Sequence, residues 1–76
     1  MKITYDAETD VLTIELRDGP VATTEEEKSG VLLDYDDRDR LIAIELLDAS
    51  QRVSEVDAVR LQILPKPPGS RPKAAE

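Results

Sequence analysis

Asp10-Val11-Leu12-Thr13-Ile14-Glu15-Leu16-Arg17 alternates from its third residue onward between apolar and polar side chains. Leu12, Ile14 and Leu16 fall on one side and Thr13, Glu15 and Arg17 on the other, a period of two that describes a half-buried strand. Leu41 to Leu47 repeats the pattern with Ile42, Ile44 and Leu46 on one side and Leu41, Ala43, Glu45 and Leu47 on the other. Working outward, Ile3 and Tyr5 mark a first strand, Val21 to Glu26 a third, Val31, Leu33 and Tyr35 a fourth, and Val59, Leu61 and Ile63 a last one. Thr24-Glu25-Glu26-Glu27 also fits a capping box, and Val56, Val59 and Ile63 a helical spacing; the strand reading is preferred for both segments. Asp48 to Val53 is the helical candidate, with Asp48 placed to cap free amides. The expectation is a mainly β fold, a small antiparallel meander of about six strands with one short helix near residues 48–53.

A shift of thirty residues superposes Tyr5-Asp6 on Tyr35-Asp36 and Ile14-Glu15-Leu16 on Ile44-Glu45-Leu46, five identities in the twelve positions from Tyr5 to Leu16. Two similar hairpins would share one apolar layer of Leu12, Ile14, Leu16, Ile42, Ile44 and Leu46. Val11, Leu32, Leu41, Ala43 and Leu47 then fall on the opposite side, where a single sheet leaves them partly wet. Such exposed apolar groups point to a homodimer, or to the 48–53 helix and the last strand folding back over that face.

The blocks Tyr5-Asp6, Asp10 to Ile14, Asp34-Tyr35-Asp36 and Leu41 to Ser50, in that order, resemble the short prokaryotic proteins grouped as domain of unknown function DUF2283. The resemblance covers residues 1 to about 53. Thr13 and Ala43 depart from it, standing where the family often has an aromatic residue and a glycine. It implies a small β-rich protein and, for some members, an antitoxin-like partnership with small ribonuclease-type toxins. It supplies no catalytic residue.

The 76 residues carry seventeen acidic and ten basic side chains, a net charge of −7, and contain no Cys, His, Trp or Phe. Thiolate and imidazole chemistry, disulfides and Cys/His zinc cages are thereby excluded. No apolar run is long enough to cross a membrane as a helix, and Met1-Lys2-Ile3 opens directly into patterned sequence, so a cytoplasmic location is expected. Residues 1–64 read as a single β-rich domain with sixteen acidic and seven basic side chains, a net of −9. Residues 65–76 read as a disordered, Pro-rich tail bearing Lys66, Arg71 and Lys73. A body this acidic repels phosphate and attracts cationic surfaces, which disfavours nucleic acid as its partner.

Asp34, Asp36, Asp37 and Asp39 supply four carboxylates within six residues, an oxygen-rich cluster that could attract a divalent cation or a small ligand. Arg38 stands where a calcium loop needs its fifth-position ligand and no Gly follows, so a turn stabilised by Asp side chains is the stronger reading. Glu15 and Glu45 hold equivalent places in the repeat, but acid–base work would require them close together. No cofactor and no enzymatic activity are expected. Glu25, Glu26 and Glu27 are the candidates for docking a basic protein, with Tyr5 and Tyr35, the only aromatics, as candidate contacts.

Overall fold

The computed structural model describes residues 1–69. Five strands form one antiparallel sheet: β1 (Lys2–Asp6), β2 (Val11–Glu15), β3 (Thr23–Lys28), β4 (Val31–Tyr35) and β5 (Leu41–Leu46). A single helical turn, α1 (Ala49–Arg52), follows. The spatial order is β1-β2-β5-β4-β3, with β2 and β5 central and β1 and β3 at the edges. The meander is therefore broken once, because β5 pairs with β2 and sends the β3–β4 hairpin to the far side.

That central pairing gives the repeat a geometric meaning. Ile14 lies opposite Ile44, Leu12 opposite Leu46, and the Leu16 amide donates to the Ile42 carbonyl at 2.7 Å. Since 14 and 44 are equivalent positions, the β1–β2 and β4–β5 hairpins are related by an approximate two-fold passing between them. Their turns match as well. An Asp6 oxygen accepts the Glu8 amide at 2.9 Å, and the equivalent Asp36 oxygen accepts those of Arg38 and Arg40, both at 2.9 Å. These are side-chain-to-backbone turns, the role for which short carboxylates suit such loops.

Cross-strand partners share a face. The apolar face has the rows Ile3, Ile14, Ile44, Leu33 and Tyr5, Leu12, Leu46, Val31. The other face has the rows Lys2, Glu15, Ala43, Asp34, Thr24 and Thr4, Thr13, Glu45, Leu32, Glu26. Among the described residues the buried apolar positions are Ile42, Ala43 on the other face and Ala49 in the helical turn; the rows of the apolar face are half-buried apart from the exposed Ile3, and no large side chain is completely enclosed.

Three expectations need correction. The sixth strand is absent: Val59, Leu61 and Ile63 belong to no element and stay exposed. A strand exists only through its ladder, and β1, the adjoining edge, pairs only with β2. The third strand begins at Thr23 and continues through a bulge between Glu26 and Lys28. Asp48 adopts a left-handed backbone (φ 53°) and makes no side-chain cap. The cap comes from Asp10, forty residues away, whose carboxylate accepts the Ser50 amide at 3.0 Å and its hydroxyl at 2.7 Å, while the Asp10 carbonyl accepts the Ala49 amide.

The basic end of the chain has no strand or helix up to residue 69, and the expectation of a disordered tail, with Arg71 and Lys73, otherwise lies outside the described residues. Among the described residues no helix is long and apolar enough to cross a membrane.

Candidate functional site

The outer hairpin β3–β4 and the turn after it bring together three of the residues singled out above. Thr23 lies opposite Tyr35 and Glu25 opposite Leu33, which puts Thr23, Glu25 and Tyr35 on one face. With Asp39 from the following turn they line an open groove of about 330 Å³. Asp39 reaches it because it takes a left-handed backbone (φ 58°) and closes the turn by donating its amide to the Asp36 carbonyl. Two carboxylates, a hydroxyl and a half-buried phenol ring make a surface for a cation: charge from Glu25 and Asp39, and a ring face from Tyr35.

Glu26 turns to the other face and accepts the Gly30 amide at 2.9 Å, so its charge serves the β3–β4 turn. Glu27 is exposed at the bulge. Tyr5 sits on the same face but at the opposite end of the sheet, where its hydroxyl donates to Asp10 at 2.8 Å, so the two tyrosines do not share a site. That hydrogen bond, followed by burial and the Asp10 charge, raises the Tyr5 phenol above its ordinary range. Asp10 is lowered, first by the Ser50 hydroxyl and then by Tyr5.

The 34–39 acidic cluster disperses. Asp36 is held by the Arg40 and Arg38 amides and by the Arg40 guanidinium at 2.8 Å, which together lower its pKa. Asp34 lies within β4 on the face opposite the groove, 3% exposed, accepting the Thr24 hydroxyl at 2.7 Å. Among the described residues no three Asp or Glu side chains converge as a metal site would require.

Asp34 instead meets Glu45. The Glu45 carboxyl shares a hydrogen bond with Asp34, and this bond, partial burial and the Asp34 charge push its pKa up to about 7. Below about pH 7 the pair therefore holds one proton. Glu15 shares the face and lies diagonally across the β2–β5 pair, but the group Glu45 engages is Asp34. Sequence reasoning placed Asp34 in the fourth strand but weighed it only with the acidic cluster, and so missed this pair; the signal was its even spacing from Leu32, which sets it on the face of Ala43 and Glu45.

The family model described as "Protein of unknown function (DUF2283)" matches residues 2–50. The chain belongs to that DUF2283 family. The match spans all five strands and the start of α1, so both hairpins, the groove and the Asp34–Glu45 pair lie within the family domain. No curated protein and no solved structure matches the chain.

Proposed function

We propose that this DUF2283 chain is a non-catalytic protein-interaction module that receives a cationic segment of a basic partner in the β3–β4 groove. The carrying observation is the convergence of Glu25, Asp39 and Tyr35 on one open groove at the sheet edge. The body's net charge of −9 would draw such a partner in from solution. The resemblance to the family supplies a partner class, a small basic ribonuclease-type toxin, and with it an antitoxin-like role in the cytoplasm.

Titration with a short arginine-rich peptide at low ionic strength tests the reading. Glu25→Lys should weaken binding at least about tenfold, or about 1.4 kcal/mol. Tyr35→Ala should weaken it by a few-fold, in keeping with about 0.5–1 kcal/mol for an exposed cation–ring contact. Glu55→Lys, which makes the same charge change outside the groove, should do much less. Equal losses at Glu25 and Glu55 would reduce the effect to net charge and remove the groove from the account.

A further inference from the structure

The repeat leaves one place in the sheet unfilled. The outer side of β4 is met by β3, and the Ala22 amide adds a bond to the Tyr35 carbonyl at 2.8 Å. β1 is the equivalent strand of the first hairpin, and among the described residues it pairs only with β2. Which of its backbone groups are left over follows from the alternation of an antiparallel ladder. The Leu16 amide points to β5, so those of Ile14 and Leu12 do too, and Thr13 and Glu15 point to β1. Their partners Thr4 and Lys2 therefore point inward, and the N–H and C=O groups of Ile3 and Tyr5 point out of the sheet. Val59 and Leu61 pass beside Ile3 but join no ladder.

We infer that β1 pairs antiparallel with β1 of a second copy of this chain across a two-fold axis at Thr4, joining the two sheets edge to edge. An isologous contact requires a surface that complements itself, and Lys2-Ile3-Thr4-Tyr5-Asp6 does so when reversed. Lys2 falls opposite the partner's Asp6, Ile3 opposite the partner's Tyr5, and Thr4 opposite the partner's Thr4. The Ile3–Tyr5 pairs are the hydrogen-bonded ones, so the outward groups of both strands are satisfied. On the apolar face Ile3, 39% exposed, gains an aromatic ring, and on the other face opposite charges meet. The Glu8 and Thr9 amides both use Oδ1 of Asp6, which leaves Oδ2 for the partner's Lys2. Reversal disqualifies the other edge, because β3 carries a bulge and would set Glu25 of one copy against Glu26 of the other. Two bodies of net charge −9 repel, and β1, with one lysine and one aspartate, adds nothing to that repulsion. This surface is separate from the β3–β4 groove, and either can fail without the other.

Sedimentation equilibrium of the full chain should show a reversible dimer at concentrations up to about 1 mM. Ile3→Pro removes an outward amide, which an edge strand tolerates, and should abolish the dimer with an unchanged far-ultraviolet circular dichroism spectrum. Lys2→Glu, which sets like charges across the contact twice, should weaken dimerisation by about tenfold. The protein has no cysteine, and Thr4→Cys reports the axis directly, because a non-hydrogen-bonded pair brings its Cα atoms to about 4.5 Å, within disulfide reach. On oxidation Thr4→Cys should cross-link faster than Glu27→Cys, which places a thiol on the other exposed edge. A wild-type chain that stays monomeric throughout that range overturns the assignment. So does a dimer indifferent to both Ile3→Pro and Lys2→Glu, or a Thr4→Cys chain no quicker to cross-link than Glu27→Cys.

Discussion

Glu45 is the residue whose protonation the fold controls most. Its native pKa of about 7 lies above the ordinary 4.5, so the native state holds a proton that the unfolded chain releases. The associated stability is fully present below about pH 4.5 and is lost as pH rises through about 7. Asp10 and Asp36 act in the opposite direction: their lowered values contribute stability above the ordinary carboxylate range and lose it as the solution becomes more acid. Thermal melting across pH should therefore show a maximum on the mildly acidic side, with a fall toward neutral pH. Glu45→Gln should flatten that fall and leave the acid limb intact; an unchanged alkaline limb would show that the Asp34–Glu45 proton is not its source. Asp10 shows where residue-level reading ends. Its partners Ser50 and Ala49 are forty and thirty-nine positions distant, and its counterpart in the repeat is Arg40, so no local pattern announced a cap.

Among the elements, strands with partners were legible and the segment without one was not. Period-two alternation located β1, β2, β4 and β5 because each lies in a ladder that converts alternation into two faces. Val59, Leu61 and Ile63 alternate equally well but have no ladder, and alternation alone does not reveal that. The groove was half legible: Glu25 and Tyr35 were candidates, but their meeting with Asp39 depends on the β3–β4 register and on the backbone of the 36–40 turn. The helical turn owes its position to packing more than to propensity. Ala49 is fully buried, and Arg52 donates to the Leu47 carbonyl at 2.6 Å and to the Ser29 carbonyl. Ala49→Leu should cost about 1–3 kcal/mol by overpacking, measurable by urea denaturation. Gly30→Ala should also destabilise, since Gly30 has φ 80° and an added Cβ would collide with the Arg52 guanidinium. If Arg52→Ala is present as well, the steric part of that loss should disappear and the backbone part remain.

For the whole molecule, a single sheet with a half-covered apolar face and a strongly acidic surface has little core and a large capacity for contact. Added salt should raise the melting temperature, because it screens the repulsion within a body of net charge −9. A fall with moderate sodium chloride would mean that ion pairs such as Arg40–Asp36 outweigh that repulsion, contrary to the small contribution expected of a half-exposed pair. The β3–β4 hairpin would face the cationic partner. Amide chemical-shift mapping of the full-length protein during titration with an arginine-rich peptide tests the central claim most directly. The account predicts saturable shifts concentrated at Thr23, Glu25, Tyr35 and Asp39; shifts centred on β1 and β2, or none beyond those that salt alone produces, would contradict it.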